Sequence, residues 1–228
     1  MLNLQLVRKY AKAIFEIAQE EGKLVEYGDE LKAAREGIES VPQAIEFFSN
    51  PQIDPKLKKA GCHMLNDIWG LQYKEESGKM AEVAAESGLP IVVMHNQEGK
   101  AYERDIIETM KDFFRRTIAI ADHAGVPRNN LILDPGIGFG KTPEGNLTVL
   151  RRQQELLTID GVEYPLLLGT SRKSFIGAAL GLPVDERMEA TGATCVVGIM
   201  KGAGIVRIHD VKPIARMCRM TDAILQAD

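Results

Sequence analysis

The sequence predicts an α/β fold, parallel strands joined by helical crossovers, preceded by a small all-α helical segment. Three observations carry that expectation. Short apolar runs alternate with helical patterns over the longer, C-terminal part of the chain. The runs themselves (IVVM, LLLG, IVRI) are nearly continuously apolar, as strands buried on both faces are. Glycine is unevenly spread: of 21 glycines only Gly22, Gly28 and Gly37 precede residue 60. The 228 residues therefore divide into a helical segment, 1–59, and a strand–helix segment, 60–228.

In the first segment Val7, Ala11, Ile14 and Ala18 recur at helical spacing, with Leu6, Tyr10 and Ile17 widening the stripe and Gly22 as a stop. A second helix is expected over 24–40, with Leu31, Ala34 and Ile38 on one face. Pro42 suits the first turn of a third, which Asn50-Pro51 ends. So few residues bury too little area to be comfortably stable alone, so this segment needs a partner surface. In the second segment strands are expected over 63–68, 90–95, 131–134, 165–169 and 205–209. Helices are expected over 77–87, 102–124, 144–157, 187–201 and 212–227.

Composition excludes several classes. The formal charge of −4 and pI near 5.7 do not suit a nucleic-acid binder. No uncharged apolar run reaches the roughly 18 residues of a membrane span, and the charged N-terminus lacks the apolar core of a signal peptide. Cys62, Cys195 and Cys218 form no CxxC pair, which indicates neither a disulfide framework nor a zinc site. A reducing cytoplasm is the expected location.

The polar residues are placed unusually. Each apolar run ends in a polar group: Asn66-Asp67, then Met94-His95-Asn96, then Asp134-Pro135-Gly136, then the loop GTSRKS, then Arg207, His209 and Asp210. In parallel α/β folds the carboxyl ends of strands are where ligands bind. An amide, carboxylates, Lys, Arg and His together suit a polar heterocycle bearing an anionic group. Lys173 and Ser174 read as a grip for an anionic or carbonyl group. Arg207 and His209, two apart on one strand, share a face and suit a diphosphate. In DPGIGFGKTPEGN, Pro135 stands where a phosphate-binding G-x-x-x-x-G-K-T loop needs glycine, so that reading fails. Its glycines are expected to let the backbone approach a ligand closely. Trp69 walls a pocket or packs; His63 and His123 read as structural and exposed, respectively.

The series LNDIWGLQ, IVVMHNQEG, LILDPGIGFGKTPEGN, LLLGTSRKSFIG, ERMEATGAT and GIVRIHDV resembles the dihydropteroate synthases, over about residues 60–228. The resemblance implies a pterin-binding (β/α)8 barrel that joins 4-aminobenzoate to 7,8-dihydropterin-6-ylmethyl diphosphate in folate biosynthesis. It implies that Asn66, Asp134 and Lys173 bond the pterin ring, that Met94 and Phe139 line its pocket, that Arg207 and His209 hold the diphosphate, and that Ser174 with Lys173 lies near the aminobenzoate carboxylate. Lys173, Arg207 and His209 would then carry the catalysis. The 168 residues would supply the last five βα units of the barrel, so the first three strands, including the one bearing the family's magnesium ligand, are expected to be missing. The family's homodimer through late helices is implied without being fixed. Residues 2–59 (VRKYAKAIFEIAQEEGK, FFSNPQI) resemble the N-terminal part of the ATP synthase delta subunit, which would make the chain a chimera joined in LKKAGCHM. Two further readings follow: a non-catalytic pterin-binding remnant, and a stalk component acting through the delta-like helices. GTSRKSFIG argues against a corrinoid-dependent methyltransferase.

Overall fold

A computed structural model describes residues 63–74 and 78–227, within a compact unit that begins at Gly61. The helices expected over 1–59 and the question of earlier strands lie outside the described residues. Three parallel strands, β1 (Leu65–Asp67), β2 (Ile91–Met94) and β3 (Leu131–Asp134), form one sheet in that order. A parallel bridge from Leu133 to Leu166 continues it towards β6 (Leu167–Leu168), which pairs in parallel with β7 (Ile205–Val206). Five parallel strands thus follow one another in chain order, as expected. Between β3 and β6 lies an antiparallel hairpin, β4 (Thr158–Ile159) and β5 (Val162–Glu163).

Register decides what each face carries. Asn66 pairs with Val92 and Val92 with Ile132; two residues on, Met94 pairs with Asp134. Side chains alternate along a strand, so all of these share one face. Val92, Ile132 and Leu167 pack there as a small apolar cluster, with Ile205 against them. Met94 and Asp134 sit one layer further along, at the carboxyl ends. The opposite face carries Ile91, Val93, Leu131, Leu133, Leu166 and Leu168, all buried.

Six helices are described: α1 (Lys79–Ser87), α2 (Ile106–Ala124), α3 (Pro143–Arg152), α4 (Ser174–Leu180), α5 (Met188–Met200) and α6 (Val211–Leu225). Neighbours in sequence pack on one another, α1 on α2, α2 on α3, α3 on α4 and α5 on α6. In α2, Asp105 caps the N-terminus by accepting from the Ile107 and Glu108 amides. Ile107, Met110, Phe114, Ile118 and Ala121 are its buried stripe. In α3, Thr142 accepts from the Gly145 amide and Pro143 occupies the first turn.

The helix expected over 144–157 stops at Arg152 and tightens into a 3₁₀ turn, Gln153–Leu156. The β4–β5 hairpin and α4 were not expected. Asp160 (φ 50°) and Gly161 (φ 81°) turn the hairpin, the left-handed pair that a two-residue connection demands. No described helix is long and apolar enough to cross a membrane.

Candidate functional site

The site is built where β2, β3, β6 and β7 end. Asp134, the last residue of β3, is buried, and its Oδ1 accepts from the Gly136 amide at 2.7 Å. Burial pushes its carboxyl above the ordinary aspartate range; the Gly136 amide and the cations of Lys173, Arg207 and Lys141 oppose that shift. Met94 is buried beside it on the same face.

Lys173 reaches this place from the loop before α4. Its Nζ donates to the Ile137 carbonyl and lies 4.7 Å from the centre of the Phe139 ring. Burial pulls its ammonium down to about 8, opposed by Asp134 and reinforced by Arg207. Arg207 is exposed, and its guanidinium lies beside Gly169. A Cβ at Gly169 would stand 3.8 Å from Arg207 Nε and 4.0 Å from Lys173 Nζ, so both cations approach one residue. Asp134, Met94, Phe139, Lys173 and Arg207 therefore come together.

The remaining expected residues stand further out. Asn66 is exposed in the middle of β1, on the same face but two strands from β3. Ser174 is exposed as the first residue of α4. His209 is exposed, with Nδ1 2.8 Å from Ser171 Oγ.

One expectation needs correction. Arg207 and His209 do not lie on one strand: β7 ends at Val206. The Arg207 amide still reaches the Leu168 carbonyl at 3.0 Å, but the His209 amide turns to Ser171 Oγ at 3.1 Å. A side-chain acceptor has replaced the ladder, so strand alternation does not set the direction of His209.

The glycine loop, 135–142, also differs from expectation. A Cβ at Gly136 (φ 63°) would lie 2.0 Å from the His95 carbonyl oxygen, and one at Gly140 (φ 54°) 2.6 Å from the Gln97 side chain. At Gly136 and Gly140 the missing Cβ makes room for the chain after β2. Lys141 is buried and turned inward. Its Nζ lies 3.0 Å from each of the Gly136 carbonyl, the Phe139 carbonyl and His95 Nδ1.

Sequence reasoning missed several supports. Arg172 sits at φ 54°, held by its amide donating to Thr191 Oγ1 and by Arg187 donating to its carbonyl. Its guanidinium binds both oxygens of Asp210, at 2.6 and 3.0 Å. Both residues stand in the quoted motifs, but a pairing across 38 positions leaves no periodic trace. His95 faces the helices, its ring 4.8 Å from Phe113. Burial first, then Lys141, drives it down to about 2, so it is neutral at ordinary pH. Trp69 stacks loosely with Tyr73, 5.8 Å between rings, at a separate open cleft of about 410 Å³ with His95, Phe113 and Arg116. That cleft is lined by none of the residues expected to hold the pterin, the aminobenzoate or the diphosphate.

A family model described as pterin binding enzyme matches residues 31–209. A dihydropteroate synthase of Bacillus subtilis is 48% identical over 185 residues, 81% of this chain and 62% of that protein. One of Clostridium beijerinckii is 41% identical over 213 residues, 93% of this chain and 76% of that one. A solved dihydropteroate synthase from Clostridium difficile, determined in the presence of pteroic acid, shares the fold at TM-score 0.70 and 44% identity, covering 76% of this chain and 64% of that one. The chain thus spans under two thirds of the length of the Bacillus relative and of that solved chain. The family match begins ahead of residue 60, and the resemblance of residues 2–59 to the ATP synthase delta subunit is not borne out.

Proposed function

We propose, from the premise that this chain belongs to the dihydropteroate synthase family of pterin-binding enzymes, that it condenses 4-aminobenzoate with 7,8-dihydropterin-6-ylmethyl diphosphate. The observation that carries this is the meeting of Asp134, Met94, Phe139, Lys173 and Arg207 at the carboxyl ends of successive parallel strands. Their sequential order supports reading the five strands as consecutive βα units of a (β/α)8 barrel.

In this reading Asp134 accepts from the amino and ring N–H edge of the pterin, and Asn66 and Lys173 bond the same ring. Met94 and Phe139 pack on it. Arg207 and His209 hold the diphosphate, and Ser174 with Lys173 meets the aminobenzoate carboxylate. The C–O bond breaks first and its electron pair leaves with diphosphate. The amine nitrogen then closes the C–N bond to the pterin-stabilised cation and loses its proton to solvent. The residues' contribution is electrostatic, fixed cations facing charge that grows on the leaving group. Ser171 Oγ accepts from the His209 amide and also meets its Nδ1, which holds the ring by its inner nitrogen and leaves Nε2 as the outward one. Magnesium would supply further charge neutralisation at the diphosphate. Among the described residues no three His, Cys, Asp or Glu side chains gather into a metal site. A homodimer through α5 and α6 accords with the same family reading.

The test uses the purified full chain with both substrates, following dihydropteroate and diphosphate release. Turnover is the expected result. Saturable pterin binding without turnover would favour the non-catalytic remnant, and absence of both would end the pterin reading.

A further inference from the structure

We propose that Lys141 is a positioning residue for the pterin pocket, a buried ammonium clip that fixes the loop between β3 and α3 from its inner side. An ammonium has three N–H donors and no acceptor. Lys141 Nζ has three partners, each at 3.0 Å: the carbonyls of Gly136 and Phe139, and Nδ1 of His95. The count closes with nothing left over. The two carbonyls lie at the two ends of the stretch Gly136-Ile137-Gly138-Phe139, whose glycines contribute no side chain of their own. The Ile137 carbonyl and the Phe139 ring in that stretch are the two groups on which Lys173 rests. Gly136 donates to Asp134 Oδ1. One buried lysine therefore sets where Asp134, Phe139 and Lys173 stand without facing the ligand itself.

His95 completes the clip. Its ring lies against Phe113 and Phe114 and is almost fully buried. As a neutral imidazole it offers Nδ1 as acceptor and carries its proton on Nε2. The charged and titratable groups around Lys141 are His95 after β2, Asp134 on β3 and Lys173 before α4, with Arg116 of α2 acting on His95. Burial pulls Lys141 down to about 7, against the attraction of Asp134. Loss of its proton leaves a lone pair facing an acceptor and opens one of the three bonds.

This inference rests on the pterin reading, and its test separates the two. Lys141→Met and Lys141→Gln are compared with wild type in the full chain, with KM measured for each substrate. The expected result is a KM for the pterin diphosphate raised about tenfold or more in Lys141→Met, corresponding to about 1.4 kcal/mol. Lys141→Gln keeps two donors and should rise by a smaller factor, and in both variants the KM for 4-aminobenzoate, which meets only Lys173 of the three positioned groups, should rise by a smaller factor than that for the pterin diphosphate. A folded variant whose pterin KM stays within twofold of wild type overturns the proposal. So does an equal rise for both substrates, or a loss confined to kcat, which is what a smaller folded fraction alone would give. If neither variant folds, the nitrogen NMR signals of His95 in wild type decide. An unprotonated Nδ1 is expected between pH 6 and 5, where Lys141 carries its proton; a proton on Nδ1 in that range overturns the clip. A wild-type chain that binds no pterin defeats the proposed function, while the same His95 signals still report on the clip.

Discussion

The two halves of the site are held by opposite means. The loop after β3 is fixed by buried groups: Asp134 on the Gly136 amide, Lys141 on two carbonyls and a neutral imidazole, and glycines pressed against the chain after β2. The ends of β6 and β7 are fixed nearer the surface, by Arg172 on Asp210 and Ser171 on His209. The buried half is set by shape and cannot shift without displacing backbone. The outer half is set by charge, which solvent and salt weaken. A rigid heterocycle suits the first, and a mobile, strongly hydrated diphosphate suits the second.

The contrast breaks most visibly at Gly136. Gly136→Ala puts a Cβ 2.0 Å from a carbonyl oxygen at positive φ. Left-handed strain and overpacking together should cost about 4 kcal/mol, read by urea unfolding. Stability within 1 kcal/mol of wild type would show that the loop yields.

Acid probes the same half. Folded His95 is held down to about 2, while an unfolded imidazole takes its proton near 6.5. The unfolded chain therefore binds the extra proton throughout that window, and stability falls as pH drops through it. The slope is up to about 1.4 kcal/mol per pH unit, or about 2 kcal/mol between pH 7 and 5. Urea midpoints across that range check it, and His95→Gln should flatten the slope. An unchanged slope would assign the acid sensitivity elsewhere.

Asp134→Asn should weaken pterin binding about 30-fold, the roughly 2 kcal/mol of a charge-assisted hydrogen bond. It should leave binding of inorganic diphosphate unaltered, and calorimetry separates the two ligands. Because burial raises the Asp134 carboxyl, wild-type pterin affinity should begin to fall, on acidification, at a higher pH than an ordinary aspartate would give.

In the outer half, Arg172→Ala and Asp210→Asn should lower kcat/KM for the pterin diphosphate by similar factors. The double variant should be no worse than either single one, since each breaks the same pair. Added salt should depress wild type more than the variants. The smallest effect belongs far from both halves. Removing the exposed pair of Arg128 with Asp122 by Asp122→Asn should leave activity and melting temperature within error.

Much of this organisation was legible in the sequence. The β2 and β3 strands declare themselves because both faces are buried, so IVVM and LILD are apolar throughout. The polar residues closing those runs mark the site for the same reason, being out of place in a core. The two-residue strands β4 and β5 are too short for periodicity, although Asp160-Gly161 is a turn signal. Helix α4 was hidden because it opens directly at Ser174, in a run of hydroxyls and cations that reads as loop. The inward turn of Lys141 was illegible, since a lysine between glycine and threonine reads as exposed. Only its tertiary partners, five and 46 residues away, reveal otherwise.

The most direct test is titration of the full chain with 7,8-dihydropterin-6-ylmethyl diphosphate, for wild type and for Asp134→Asn side by side. Saturable binding by wild type, strongly weakened in the variant, is the predicted result. No binding by wild type, or equal binding by both proteins, would contradict a pterin site built on the end of β3.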